Sequence, residues 1–481
     1  MKGKVISVLD NVFNALNYKI AIIVATLLTV VPYIHGVIGG YVKFVLAFGI
    51  VTVLYLTVKN GFKFLFKDKL SVLLILFCVS YLITCIINRG EFLSSNLSSL
   101  AYMAVSFSLF FIFTVNTEKE KLIKEYKILA CVIIAFTAVY SILNLFIFAF
   151  NISGSYVVNT VVQYYGVKDN RLWGIYNANT NSTLCVISVI FSLGLAFSKP
   201  AKKRIVKILC IANIILQFIG LVLTGSRASN YVLYLLSAVF AFVYSVKSKV
   251  SFKKIGSGLT GVISAVVCML VLFAGTKVVN ITAPYIPKIA SNINIDVSSS
   301  FNDENNKDDL SDNSEENAII NNLNRNDISD KEVGILNGRT RFWKAGLKTF
   351  ADHPLFGISR EKIYTVVREY LNDPVWDNHL RVGGVHNIYL TVLISSGIVG
   401  FLLLAVFAIF VLIKLIKAII KMKDTNSEFL AGCLLLLMFF ITELVEGRIL
   451  YQVSFFNMVF WCFLGIAYAQ AKSILNKADE K

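Results

Sequence analysis

Two side chains suited to proton transfer and hydrogen bonding stand at the start of a long apolar run. His386 and Asn387 directly precede residues 388–413, a run long enough to cross a bilayer. Histidine is the side chain that most readily accepts a proton near neutral pH. At the first turn of a helix, the dipole also favours its neutral form. The sequence therefore predicts a general base at one end of a membrane-spanning helix.

Four arginines outside the apolar runs are candidates for binding an anion, because the guanidinium group grips phosphate or carboxylate through two parallel hydrogen bonds. Arg171 lies in the loop 151–179, and Arg227 lies in a very short loop. Arg339 and Arg341 belong to the largest polar region. Lipid headgroups for Arg227, and loop carboxylates for the others, are the alternative ligands.

The elements that must position these groups are apolar helices. The chain is 56% hydrophobic and 16% charged, with a mean hydropathy of +0.70, which excludes an ordinary soluble protein. The sequence predicts an all-α, polytopic integral membrane protein with about 12 transmembrane helices. The expected spans are 20–38, 41–58, 70–87, 97–115, 128–150, 180–197, 205–223, 230–246, 256–276, 387–413, 428–445 and 450–470.

Basic loops predict the orientation. If the N-terminus is cytoplasmic, every inner loop is rich in lysine, as the positive-inside rule requires. Those loops are Lys59–Lys69, Glu118–Lys127, Lys199–Arg204, Lys247–Lys254 and Lys414–Lys423. Of the 11 arginines only Arg204 lies on that side. We therefore expect both termini in the cytoplasm, and His386 with the other ten arginines on the outer face.

This topology divides the chain into three regions. Residues 1–276 hold the first nine spans, 277–385 form a large extracytoplasmic loop, and 386–481 hold the last three spans and a cytoplasmic tail. Within the loop, 296–332 is rich in Asp, Glu, Asn and Ser and is expected to be flexible. The stretch 337–372 has apolar residues at helical spacing and is expected to be helical.

Composition also limits the partners and cofactors. The net charge of +17 comes from basic loops that set the membrane topology. Their basic residues are not interleaved with aromatic residues, so we expect no nucleic-acid partner. All 8 cysteines lie in apolar runs, which excludes a disulfide framework or a cysteine-ligated zinc site. We expect no metal and no cofactor. Few ionisable residues lie inside the spans, which argues against an ion-coupled transporter.

Three motifs, in this order and topological placement, resemble those of the bacterial O-antigen ligase and Wzy-type polymerase superfamily. They are Ser226-Arg227, then Gly338–Trp343 with Asp352–Gly357, then His386-Asn387 followed after nine residues by Gly397-Ile398-Val399-Gly400. The resemblance covers essentially the whole chain and implies a GT-C-like arrangement, with the large loop between helices 9 and 10. One departure is that no clean pair of Arg-x10-Gly motifs is found, since Ser182 follows Arg171 at that spacing.

The resemblance implies a metal-independent glycosyltransferase on the outer face of the bacterial cytoplasmic membrane. Its donor would be an oligosaccharide linked through pyrophosphate to a polyprenol, and its acceptor a glycan or lipid hydroxyl. His386 would act as the base. Arg227 and Arg339 would stabilise the departing pyrophosphate. Substrate-binding roles are expected for Arg341, Asn387, Arg171, Ser226 and Trp343, although an interfacial aromatic belt explains Trp343 equally well.

Within that superfamily we favour a polymerase that joins repeat units of a surface or capsular polysaccharide. An O-antigen ligase, which hands a finished glycan to another acceptor, is the alternative. From a different class, the rival is a transporter or flippase for lipid-linked sugars, which would need a polar path through the spans. A polymerase would work beside membrane lipids, a flippase and a chain-length regulator.

Overall fold

Apolar helices make up most of the protein, as expected for an all-α polytopic membrane protein. A computed structural model describes residues 2–31, 35–158, 161–168, 171–198, 204–248, 256–287, 338–372 and 374–479. Within these ranges, 11 helices are long and apolar enough to cross a membrane, and a shorter apolar helix covers Ser427–Thr442. The fold class is therefore confirmed, while the count of twelve spans stays a prediction.

The helices of the first half follow one another with short connections. They are α1 Lys2–Val12, α2 Ala15–Leu28, α3 His35–Asn60, α4 Lys69–Ile87, α5 Leu93–Ser106, α6 Lys119–Ala149, α7 Ala178–Ala196, α8 Arg204–Leu223, α9 Arg227–Lys247 and α10 Ser257–Thr282. A π-helical turn over Phe107–Ile112 continues α5. Short 3-10 turns cover Phe62–Phe66 and Thr114–Asn116.

The helices of the second half carry the predicted motifs. They are α11 Arg339–Asp352, α12 Ile363–Leu371, α13 Pro374–Gly383, α14 Ile388–Lys421, α15 Ser427–Thr442 and α16 Phe455–Asp479. Residue 337, the first of the stretch expected to be helical, lies outside the described residues. The acidic segment 296–332 also lies outside them.

The first predicted span, 20–38, is wrong in its boundaries. In the structure α2 ends at Leu28 and α3 begins at His35, so the apolar run is shared between two helices. Pro32 follows the end of α2, and the residue before a proline is disfavoured in helical conformation. Hydropathy alone does not register this break, because apolar residues continue through it.

The protein core lies around α16, which packs against α2, α6, α14, α15 and the π-helical turn. At Gly465 this helix lies directly against the backbone of the π-helical turn. A Cβ at this position would lie 1.8 Å from the carbonyl oxygen of Phe110 in that turn. Only glycine therefore lets α16 and the π-helical turn meet backbone to backbone.

A small antiparallel sheet interrupts the helical architecture between α6 and α7. Its strands are β1 Gly154–Val158, β2 Val161–Lys168 and β3 Arg171–Gly174, in the order β1-β2-β3. Leu172 and Val167 pack with Phe148, Leu223 and Ala283 at the ends of α6, α8 and α10. The sequence predicted only a loop here. The sheet thus fixes Arg171 over the ends of the helices.

Helix α14 is broken at Gly397, whose backbone is at φ 62° and ψ −171°. The loop 354–359 enters this break. Ile398 donates its backbone N–H to the carbonyl of Pro354 over 2.8 Å, and Ile358 donates to the carbonyl of Ile394 over 2.9 Å. Non-helical backbone within a membrane protein is tolerated where other protein groups satisfy it. The break therefore joins the polar region to α14.

Candidate active site

His386 lies in a tight turn between α13 and α14. Its own backbone is left-handed, with φ 50°, and Gly384 in the same turn has φ 61°. Asn387 then caps α14, since its Oδ1 accepts the backbone N–H of Leu390 over 2.9 Å. A non-glycine residue at positive φ is uncommon and is held only where its surroundings determine it. The turn thus presents the imidazole at the end of α14.

Two neighbours hold the imidazole ring in place. Gly383 lies directly against it, because a Cβ at position 383 would lie 2.1 Å from both Cε1 and Nε2 of His386. On another side the ring of Phe342 lies with its centroid 6.0 Å away. The Trp343 indole donates to the carbonyl of Val385, over 3.1 Å, and so anchors the residue before His386.

The carboxylate of Glu446 joins the histidine to an arginine. Its Oε2 lies 3.9 Å from Nδ1 of His386, and its Oε1 lies 3.5 Å from Nη2 of Arg339. All three side chains are about one-fifth exposed. A base and a guanidinium group therefore lie on the two sides of one carboxylate, in a partly solvent-shielded site.

The electrostatics of Glu446 reflect these neighbours. Burial raises the pKa of the Glu446 carboxyl, but its contact with His386 and the positive charges of Arg448 and Arg339 outweigh this effect, so the pKa lies below its ordinary value. Glu446 is therefore a carboxylate at neutral pH. It can orient the imidazole and stabilise the positive charge that forms when the ring takes up a proton.

A buried ion pair supports the segment that carries Glu446. Arg448 Nε lies 3.3 Å from Oε1 of the fully buried Glu443, and its Nη1 donates to Thr183 of α7 over 3.3 Å. The Glu443 backbone carbonyl accepts the N–H of Ile388, the first residue of α14. This pair joins α7 and α14 to the loop between α15 and α16.

Arg171 and the Arg227 turn form a second polar group. Arg171 Nε donates to the carbonyl of Thr224 over 2.8 Å, and Nη2 donates to Oδ1 of Asn179 over 2.7 Å. Arg227 is the exposed first residue of α9, and Ser226 precedes it as the cap. The Ser226 hydroxyl donates to Ser229 over 3.0 Å. Arg171 therefore braces the turn that presents Arg227.

The two polar groups are connected through the first turns of α7. Asn179, which contacts Arg171, accepts the hydroxyl of Thr183 on its backbone carbonyl over 2.9 Å. Thr183 contacts Arg448, whose backbone N–H donates to Glu443 over 2.7 Å. The structure thus brings His386 and Arg339 onto one carboxylate, and connects Arg171 and Arg227 to them through intervening residues.

Residues 212–405 match the family model described as O-Antigen ligase. The matched range includes Arg227, Arg339 and His386, and ends before Glu446. Over this part of the chain, the match supports the superfamily of O-antigen ligases and Wzy-type polymerases. No curated protein matches the chain. The match supports glycan processing of the ligase or polymerase type in general, and the long apolar helices indicate a multi-pass membrane protein.

In this O-antigen ligase relative, three of the expected substrate-binding residues make contacts within the protein. Asn387 donates its side-chain amide to the carbonyl of Leu444 over 3.0 Å, in addition to capping α14. Trp343 holds Val385, as described above. Arg341 lies over the ring of Trp376, with its guanidinium carbon 5.6 Å from the centroid. Their geometry favours positioning of the His386 turn.

An apolar cavity of about 240 Å³ begins where the His386 turn ends. Its lining includes Ile388, Val392, Phe401, Phe440 and Trp461, from α14, α15 and α16. The cavity therefore places hydrocarbon-compatible space next to the polar groups of the O-antigen ligase relative. Such pairing of an apolar space with a few polar groups is typical of ligand sites.

Gly383 was missed as a site residue from the sequence. For Glu446 the sequence left two roles open, a residue lining the acceptor site or a member of an ion pair at a span end. Glu446 is recognisable in retrospect as an acid at the end of an apolar run. Its pairing with His386 is long-range, and no sequence spacing encodes it. The Gly383-Gly384 pair before the motif histidine was the one local signal.

Proposed function

We propose that the protein transfers a glycan from a polyprenyl pyrophosphate carrier to a sugar hydroxyl, with His386 as general base, and that it polymerises repeat units of a surface polysaccharide. The observation that carries this proposal is the position of Glu446 between His386 and Arg339. The reaction needs a proton acceptor for the hydroxyl and a positive charge for the leaving group. His386 and Arg339 provide these two groups on one carboxylate.

The proposed step is a substitution at the anomeric carbon of the donor. The acceptor oxygen forms a bond to that carbon, and the bond from the carbon to the pyrophosphate oxygen breaks. The bonding electrons leave with the pyrophosphate, and the hydroxyl proton passes to His386. Glu446 stabilises the imidazolium that results, while Arg339 is near enough to bind the departing oxyanion.

The apolar cavity supports a lipid-linked donor. It lies beside Ile388, the residue after the His386-Asn387 pair, and its lining is hydrocarbon and aromatic. An isoprenoid chain gains about 25 cal/mol for each Å² of apolar surface that a protein buries from water. Inside a bilayer that gain is smaller, so the cavity orients the chain and the charged groups bind the pyrophosphate.

We favour polymerisation over ligation as the proposed activity, because polymerisation requires one class of substrate. Both partners of a polymerase are lipid-linked units that can approach the cavity from the bilayer, whereas a ligase must also recognise an acceptor of a different kind. The outer-face location is supported by the lysine-rich loops at the opposite ends of the helices. The products separate the two activities: a polymerase yields a ladder of lipid-linked chains, and a ligase yields glycan on another acceptor.

The test is glycan transfer by purified protein in lipid vesicles that contain a lipid-linked repeat unit. Wild-type protein, His386→Ala and His353→Ala are compared by gel analysis of the labelled glycan. His353 is an exposed residue at the end of α11 and serves as the matched control. We expect His386→Ala to lower the rate at least about 100-fold, within the usual contribution of a general base, and His353→Ala to leave it unchanged. Normal transfer by His386→Ala would exclude the proposed role.

A further inference from the structure

Arg360, one of the ten arginines expected on the outer face, lies near the His386 turn. Arg360 directly follows the loop 354–359, which is docked in the break of α14. Its backbone N–H donates to the hydroxyl of Tyr81 over 3.2 Å. The preceding Ser359 is buried at φ 68° and donates its backbone N–H to the carbonyl of Ser395 over 3.1 Å. The backbone that carries the Arg360 side chain is therefore held firmly.

The guanidinium of Arg360 has no carboxylate partner among the described residues, in contrast to three other arginines of this region. Arg339 pairs with Glu446, Arg448 with Glu443, and Arg368 with Asp377. Among residues 338–372 and the other described ranges, no acid lies within ion-pair distance of Arg360. The side chain is only half-exposed. A partly buried cation without a counter-charge is costly, and an anionic ligand would offset that cost.

The position of Arg360 relative to His386 follows from the two glycines of the turn. A Cβ on Gly383 would lie 2.1 Å from the imidazole, and a Cβ on Gly384 would lie 3.9 Å from Nη2 of Arg360. These two distances can be added to the Cα–Cα distance of neighbouring residues, about 3.8 Å, and to the two Cα–Cβ bonds. The guanidinium therefore lies within about 13 Å of the imidazole. A polyprenyl pyrophosphate and its first sugars extend over such a distance.

We propose that Arg360 binds an oxyanion of the lipid-linked substrate beside the His386 turn, as a binding residue that determines affinity. This rests on the proposed function. The ligand chemistry is an oxyanion with two adjacent oxygens, which the planar guanidinium group matches through paired hydrogen bonds. Two sources supply it: the pyrophosphate of the carrier, or a carboxylate on an acidic sugar.

The test measures binding to purified Arg360→Gln, with Arg368→Gln as the matched control. The Arg368 guanidinium pairs with Asp377 and is 60% exposed, so its loss leaves the turn intact. The probes are farnesyl pyrophosphate, a short polyprenyl pyrophosphate, and D-glucuronate, titrated calorimetrically. We expect Arg360→Gln to weaken binding of one probe at least about 10-fold, as typical for a charged hydrogen bond, and Arg368→Gln to change it less than about twofold.

The probe that loses affinity identifies the source of the oxyanion. Equal binding of both probes by Arg360→Gln and wild type would overturn the proposal, as would failure of wild type to bind either probe at millimolar concentration. Arg360→Lys keeps the charge without the planar fork and should lose part of the affinity, which separates binding from misfolding. Because the readout is binding, its failure is distinct from normal glycan transfer by His386→Ala, which would refute the proposed function.

Discussion

The carboxylate of Glu446 lies 3.9 Å from Nδ1 of His386, although α14 and α15 separate the two residues in the chain. The same carboxylate reaches Arg339 from the large polar region. Three parts of the chain thus meet at one acid. This contact makes His386 more than an interfacial cap, because a carboxylate partner can orient the ring.

Replacing Glu446 by Gln should change stability in a pH-dependent way. The pKa of Glu446 is lower in the folded protein than its ordinary value of 4.5. Its carboxylate therefore contributes stability that is fully present above that value and is lost as the pH falls through the lower, folded-state pKa. At pH 7 we expect Glu446→Gln to reduce the free energy of unfolding by about 1 kcal/mol, the upper end of the range for ion pairs that stay partly exposed.

The measurement is thermal unfolding in detergent of wild type and Glu446→Gln from pH 7 down to about pH 3.5, across the carboxylate range. The difference between the two proteins should narrow below the ordinary pKa. A difference that is the same at every pH would show that the Glu446 charge does not stabilise the fold.

A methyl group at position 383 should disable the site without unfolding the protein. Its Cβ would occupy space within 2.1 Å of the His386 ring, and the ring can move aside. We therefore predict that Gly383→Ala accumulates normally but transfers glycan at least about 10-fold more slowly, since misplacement by about 1 Å can cost 100-fold. Gly40→Ala, at a glycine with open space around it, is the control. Full activity of Gly383→Ala would contradict the observed packing.

The substitution Trp343→Phe distinguishes a role in positioning the His386 turn from a role in stacking on a sugar. Trp343→Phe keeps an aromatic ring but removes the N–H that donates to Val385. If the indole positions the His386 turn, kcat should fall roughly 10-fold while KM changes little, because substrate contacts remain. A rise in KM with unchanged kcat would instead support stacking on the sugar.

The docked loop in the break of α14 should depend on glycine at position 397. Its φ of 62° and ψ of −171° are accessible almost only to glycine, and a Cβ would lie 2.2 Å from the carbonyl oxygen of Leu355. We expect Gly397→Ala to lose more than about 3 kcal/mol of stability, from strain and overpacking together. Size-exclusion analysis of detergent-extracted protein should show little folded Gly397→Ala and normal amounts of Gly258→Ala, whose surroundings are open. Normal accumulation of both variants would mean that the break can be rebuilt.

Much of the helical architecture could be predicted because an uncharged apolar run of about 20 residues is long enough to span a bilayer as a helix. The runs 70–87 and 205–223, for example, coincide closely with α4 and α8. The error at 20–38 arose where the chain turns within apolar sequence. The sheet was missed although residues with high strand propensity, Val and Tyr, flank Asn159-Thr160 and precede Asp169-Asn170, and Asn and Asp favour turns.

The contacts of the site could be predicted only in part. The motif order indicated His386, Arg339 and Arg227, but a single sequence does not reveal which acid faces which base. The sequence placed Gly397 in the motif that follows His386 but did not indicate what packs against it. In the structure it admits the loop 354–359 and leaves the helical conformation. Long-range backbone contacts of this kind depend on the tertiary fold.

The transporter alternative requires a polar path through the spans. Polar side chains do occur between α6, α7 and α8, but they bond to one another. Thr137 donates to Ser188 over 2.7 Å, and the Asn213 amide donates to Ser188 over 2.9 Å. Gln217 accepts Ser141 and donates to the carbonyl of Thr137. All of these are buried. This arrangement favours helix association, in which polar side chains bond across the interface.

The most direct measurement is a double-mutant cycle between His386 and Glu446, read as the single-turnover rate of glycan transfer. If Glu446 acts through the imidazole, the double variant His386→Ala with Glu446→Gln should react no more slowly than His386→Ala alone. If Glu446→Gln slows the His386→Ala protein by the same factor as it slows wild type, the two residues act independently, and the central contact plays no part in the reaction.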